Sequence, residues 1–245
     1  MPLIEEFTRH GNFLFRYRST LPLVALLAAL GIFIFNKLHS RPNITGLDDW
    51  YILSCFAVSM IGFAIRVYTV GHTPDCTSGR NTKEQVADRL NTTGAYSLVR
   101  HPLYLGNFFM WLGLAMLSNS VWFVVVFILG FWLYYERIMF AEEMFLRGKF
   151  GDEYINWVSN VPAFVPNFRN WVPPDNKFRL KKVLRKEKDG FVAVVLIVFI
   201  FNFIQEYGKI KSIIHLDIWF FLAVSAIIIY AILQLLKKKT KILKD

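Results

Sequence analysis

The residues from Pro102 to Tyr135, PLYLGNFFMWLGLAMLSNSVWFVVVFILGFWLYY, contain no Asp, Glu, Lys or Arg across 34 positions. A single helix of that length would run about 51 Å at about 1.5 Å per residue, and the hydrocarbon core of a bilayer is only about 30 Å thick. The polar triplet Ser118-Asn119-Ser120 interrupts the run near its middle. The stretch therefore predicts a tight hairpin of two membrane helices. It sets the fold class as an all-α, polytopic membrane helix bundle.

Four further uncharged runs lie outside the hairpin: Ser19 to Asn36, Trp50 to Ile65, Gly190 to Gln205 and Ile218 to Leu236. Together they predict about six transmembrane helices. The first run lacks a small-residue cleavage motif and reads as a retained span. Composition agrees, with 55% hydrophobic residues, 19% charged residues and a mean hydropathy of +0.39; soluble domains carry about 25% charge. Several runs are short for a crossing. Their helices are expected to continue past the apolar limit, with charged ends turned to a polar cleft or to the interface.

The net charge of +10 is distributed with a pattern. Arg9, Arg16 and Arg18 precede the first span, and Arg80, Lys83, Arg89 and Arg100 lie between the second and third. A long basic block from Arg147 to Lys188 follows the fourth span, and the tail holds Lys237, Lys238, Lys239, Lys241 and Lys244. The other three connections are poor in Lys and Arg. Six spans with both termini cytoplasmic satisfy the positive-inside rule at every loop. Basic residues that flank apolar segments point to anionic lipid as the partner and not to nucleic acid. Cys55 and Cys76 are too few for a disulfide framework or a zinc site, and Cys55 is expected only to pack.

Three regions follow from this division: residues 1–70 with two N-terminal spans, residues 71–168 with a turn-rich loop, the hairpin and an amphipathic segment, and residues 169–245 with a basic linker and two more spans. The middle region carries the unusual chemistry. Its loop ends in Gly94-Ala95-Tyr96 and enters the third span through Arg100-His101-Pro102-Leu103-Tyr104-Leu105-Gly106. Proline fits the first helical turn, and Gly106 permits close backbone approach one turn later. The fourth span leads into Glu136-Arg137 and then Glu142-Glu143-Met144-Phe145-Leu146. Acidic residues at a membrane boundary are costly unless solvated or paired, so they are functional candidates. Glu143 and Arg147 stand at i and i+4, which predicts a surface ion pair, whereas Glu142 has no Lys or Arg at either spacing. Tyr154 and Trp157 are expected to pack one amphipathic face, and His72 to be a turn residue. No second His or Cys stands at ligand spacing from His101, so no metal is expected.

Residues Gly94 to Pro166 resemble the core of the integral membrane methyltransferases, the isoprenylcysteine carboxyl methyltransferases and phospholipid N-methyltransferases. The pattern is Gly94-x-Tyr96-x-x-x-Arg100-His101-Pro102-x-Tyr104-x-Gly106, the uncharged hairpin, Glu142-Glu143-x-x-Leu146, Phe150-Gly151-x-x-Tyr154, and Val161-Pro162 followed by Pro166. The resemblance implies S-adenosylmethionine as cofactor, held by Tyr96, His101, Pro102, Leu103, Tyr104 and Glu142, with Glu142 toward its amino group. Asp88 to Asn91 align with further cofactor contacts by spacing alone. Arg100, His101 and Arg137 are the candidates for a catalytic role. In the prenylcysteine branch an Arg four residues before the Glu contacts substrate; position 138 here is Ile, and Arg137 stands one place away, about 100° around a helix.

The expected function is methyl transfer to a lipid or lipid-linked amine, carboxylate or phosphate at the cytoplasmic membrane face. Two alternatives are an NADPH-dependent membrane lipid or sterol reductase and a non-enzymatic scaffold or transporter. No clear set of residues for a 2′-phosphate stands in the sequence, and no span carries charge at its centre, which disfavours an ion path.

Overall fold

The computed structural model describes residues 2–18, 20–39, 48–74, 85, 87–207 and 216–239. Cys76, Arg80, Lys83, Lys241 and Lys244 and the turn from Asp75 to Asn81 lie outside the described residues. The elements in order are α1 (Leu3–Arg16), α2 (Leu21–His39), α3 (Asp49–His72), α4 (Ala95–Leu98), α5 (Pro102–Met116), α6 (Val121–Phe150), α7 (Asp152–Val158), a short 3-10 turn at Phe168–Asn170, α8 (Leu180–Glu206) and α9 (Ile218–Lys239).

The hairpin forms where its sequence requires. Pro102 opens α5, Asn119 turns the chain with φ of 53°, and the Ser120 side chain accepts a hydrogen bond from Phe123 N at 3.3 Å to start α6. Replacing Ser120 with Ala is expected to cost about 1 kcal/mol of stability, seen as a lower unfolding temperature in detergent.

The spans differ in length from the apolar runs that announce them. Five helices (α2, α3, α6, α8 and α9) are long and apolar enough to cross a membrane. The remaining apolar helix, α5, has 15 residues and reaches about 22 Å. Its partner α6 has 30 residues and reaches about 45 Å, well past a bilayer core of about 30 Å. The last turns of α6 carry Glu142 and Glu143 beyond the apolar limit, as expected for charged ends directed to a polar region. On α8 the helix begins at Leu180, so about half of the anticipated basic linker is helical.

Cross-contacts sort the helix ends into two faces. On one, Tyr51 Oη donates to Met116 O at 2.9 Å, and Asp49, Glu206 and Asp217 line one cavity. On the other, Arg66 of α3 donates to both Asn107 of α5 and Glu187 of α8. We refer to the second as the basic face. The core between the two joins Phe33 of α2, Cys55 of α3, Leu114 of α5, Val198 of α8 and Trp219 of α9. Cys55 is fully buried there, as packing requires.

Small residues set the closest crossing, between α3 and α5. A Cβ on Gly62 would lie 2.3 Å from Gly106 O, and one on Gly113 would lie 2.3 Å from Cys55 O. Such contacts are the usual means by which membrane helices gain packing energy without a hydrophobic drive between them.

The basic flank before the first span holds a helix that the charge pattern did not reveal. Helix α1 lies on α6 through Gly11, where a Cβ would fall 2.1 Å from Arg137 O. Phe15 of α1 is buried with Tyr104, Phe131, Tyr134, Tyr135, Ile138 and Met139, an aromatic cluster directly beneath the site.

Candidate active site

The chain approaches α5 through α4, and two later segments hold that approach in place. Arg100 N donates to Pro162 O at 2.9 Å, His101 N to Ala163 O at 3.3 Å, and Asn167 N to Leu98 O at 2.9 Å. The Val161-to-Pro166 turn thus binds the Arg-His-Pro entrance along its backbone. Further on, Gly94 N donates to Val172 O at 3.0 Å, and Val172 N donates to Ser97 Oγ at 3.0 Å. Gly94 itself has φ of 62°, a conformation that suits glycine.

With the entrance fixed, its side chains meet the Glu pair of α6. Tyr104 Oη donates to Glu142 Oε1 at 2.6 Å. The His101 ring lies between both carboxylates, with Nε2 2.9 Å from Glu143 Oε1 and Nδ1 3.7 Å from Glu142 Oε2. Arg100 Nη1 donates to the other oxygen of Glu143 at 3.0 Å. Glu143 is therefore held inside the site and Arg147 is exposed, which corrects the expected i,i+4 surface pair. Two helices turn cations and carboxylates toward each other at the end of the membrane, and this interior pairing outcompetes the local one.

Tyr96 of α4 is partly buried beside this group. Burial and then the negative charge of Glu142 hold its hydroxyl well above the ordinary range, with Arg66 pulling the other way. Tyr96 also lines a cavity, together with Thr69, Thr73, Arg89, Asn91 and Thr93. The cavity includes residues of the Asp88–Asn91 stretch. It opens beside the Arg-His-Pro and Glu-Glu walls, which touch each other directly, and not between them. Pro102 is buried at the first turn of α5, and Leu103 is partly exposed there.

The structure does not bring Arg137 to this group. Its guanidinium lies 3.4 Å over the Phe7 ring of α1. Tyr154 is buried and meets Trp157 edge-on at 5.8 Å, the packing expected of them. His72 ends α3, with its ring against Phe178 at 5.3 Å, so it is a helix-end packing residue and not part of a turn.

Three residues at the site went unread in the sequence as site residues. Arg18 reaches Glu142 at 3.9 Å, which depends on α1 folding back onto α6. The Phe7–Gly11–Phe15 spacing was the available signal for that helix. Arg66 and Glu187 form a two-pronged ion pair at the edge of the site. A charge ending an apolar run marked Arg66, but nothing local linked it to a residue far along the chain.

Comparison with known proteins agrees with this architecture. The model of the phospholipid methyltransferase family matches residues 50–153. The chain belongs to the integral membrane methyltransferases, the group that includes phospholipid and isoprenylcysteine methyltransferases, and it is a membrane methyltransferase. Among curated relatives, the nickel-cobalt-cadmium resistance protein NccN of Alcaligenes xylosoxydans xylosoxydans is 30% identical over 167 residues, 67% of this chain and 68% of its own. The cobalt-zinc-cadmium resistance protein CzcN of Cupriavidus metallidurans is 28% identical over 215 residues, 84% of this chain and 91% of its own. The protein-S-isoprenylcysteine O-methyltransferase of Schizosaccharomyces pombe is 31% identical over 123 residues, 47% of this chain and 52% of its own. No solved structure matches the chain significantly.

Proposed function

We propose that this protein transfers a methyl group from S-adenosylmethionine to a lipid or lipid-linked acceptor at the cytoplasmic face of its membrane, with both termini on that face. The observation that carries the proposal is the meeting of Tyr104, His101 and Glu142 at the end of the central hairpin, next to a cavity bordered by Tyr96.

The residues present fit the cofactor. Its amino group is a cation, and Glu142 is a carboxylate with one side chain only 23% exposed, held by a tyrosine hydroxyl. When bound, S-adenosylmethionine supplies an activated methyl on a positively charged sulfur. The chain's own work is positional. Tyr104 and His101 fix the Glu142 carboxylate so that one end of the cofactor is anchored, and Arg100 and His101 hold Glu143 so that the two carboxylates do not compete for one cation. Holding two reactants in line supplies about 7–11 kcal/mol of a displacement barrier.

The acceptor is an amine, a carboxylate or a phosphate on a molecule that partitions into the bilayer. The spans bring such a molecule to the same depth as the end of the hairpin. A carboxylate or phosphate oxygen attacks without a base, whereas an amine has to be unprotonated first.

The test is direct. Purified protein in lipid nanodiscs is incubated with methyl-labelled S-adenosylmethionine and a lipid extract of its host. Label is expected in the lipid phase, on a species one methyl group heavier. Binding of NADPH with no binding of S-adenosylmethionine would reverse the assignment in favour of a reductase.

A further inference from the structure

Helix α8 lies outside the motif-bearing segment, yet its third turn reaches the site. Glu187 is 3% exposed and accepts from Arg66 Nε and Nη2, both at 2.8 Å. The third guanidinium nitrogen, Nη1, donates to Asn107 Oδ1 at 2.6 Å. Asn107 Nδ2 donates to Tyr135 Oη at 3.4 Å, and the Tyr135 ring lies 4.8 Å from that of Tyr104, whose hydroxyl holds Glu142. The Arg66 stem passes over Gly106, where a Cβ would lie 2.6 Å from Arg66 Cγ. A continuous path thus runs from α8 through α3, α5 and α6 to the candidate cofactor carboxylate.

Stability alone does not account for this pair. A buried ion pair is often no more stabilising than apolar residues of the same size, whereas removing one partner leaves an uncompensated charge. The contacts through Asn107, Tyr135 and Tyr104 place Arg66 and Glu142 in one neighbourhood. An Arg66 released from Glu187 would find Glu142 as an alternative carboxylate.

We propose that Glu187 is a positioning residue of the methyl-transfer site: it locks Arg66 into the Asn107–Tyr135 network and keeps the guanidinium off Glu142. Helix α8 is thereby part of the site and not an appendage. This inference rests on the reading that Glu142 receives the amino group of S-adenosylmethionine.

The experiment measures S-adenosylmethionine affinity by calorimetry for the whole protein in detergent, alongside circular dichroism and thermal unfolding. Glu187→Gln removes the charge and keeps the shape. It is expected to weaken cofactor binding by at least about tenfold with helical content unchanged, an interaction-energy loss typical of a disrupted charge pair. The double variant Glu187→Gln with Arg66→Gln removes the liberated cation as well, and its affinity is expected to return to within about threefold of the parent. Wild-type affinity in the single variant overturns the proposal, as does an equal loss in both variants, which marks a purely structural role. If the parent protein itself binds no S-adenosylmethionine, the functional reading fails first, and the positioning role falls with it.

Discussion

Replacing Glu142 by Ala is expected to lower affinity for S-adenosylmethionine between about tenfold and about a hundredfold, because a charge-assisted hydrogen bond contributes about 1.5–3 kcal/mol. The carboxylate is anchored by Tyr104 Oη at 2.6 Å, flanked by His101 at 3.7 Å and approached by Arg18 at 3.9 Å. Deleting it removes the anionic end of the site and leaves the Tyr104 hydroxyl without its acceptor. The bundle core, which joins α2, α3, α5, α8 and α9, is distant in the fold and should hold. Thermal unfolding therefore distinguishes loss of site from loss of fold. Titration calorimetry on the purified variant is the measurement; unchanged affinity in a folded Glu142→Ala protein would place the cofactor elsewhere.

The second large effect concerns the scaffold. Gly62→Val is expected to destabilise the protein by about 3 kcal/mol or more. The Cβ alone would stand 2.3 Å from Gly106 O and 2.4 Å from Met110 N. Both are backbone atoms, so no rotamer change relieves the clash, and α3 and α5 have to separate. Separation also displaces α5, which carries Tyr104, so cofactor binding should fall with stability. Gly148→Ala is the control: nothing lies within 4 Å of its Cβ, and Ala is favoured over Gly inside a helix by about 1 kcal/mol. Unfolding temperatures of the two variants in one detergent check the prediction. Equal values would mean that the α3–α5 crossing is looser than its geometry implies.

Much of the architecture was legible because it depends on local chemistry. An uncharged run too long for one bilayer crossing, broken by Ser118-Asn119-Ser120, has few solutions other than a hairpin. The six apolar runs and the Arg-His-Pro and Glu-Glu segments around the hairpin followed from the same logic of hydrophobic length and costly charge. That α6 continues past Tyr135 to Phe150 was anticipated in kind, since charged residues can extend a helix once it leaves lipid. Less visible was α1, because a basic flank near a membrane draws attention to its charge and hides the spacing of Phe7, Gly11 and Phe15.

By itself, the sequence determined where the apolar runs lie, where the hairpin turns, and that the Arg-His-Pro entrance and the Glu-Glu pair flank it. Those features follow from burial costs paid within one helix or one turn. Only tertiary structure decided who pairs with whom. Glu143 faces Arg100 and His101 and leaves Arg147 exposed, Arg137 rests on Phe7, and Arg66 finds Glu187 across the bundle. Each outcome depends on how far a helix is rolled about its axis, and one residue changes that by about 100°. Helix roll is settled by packing between distant segments, here by glycines at the α3–α5 and α1–α6 crossings, and no local pattern carries it.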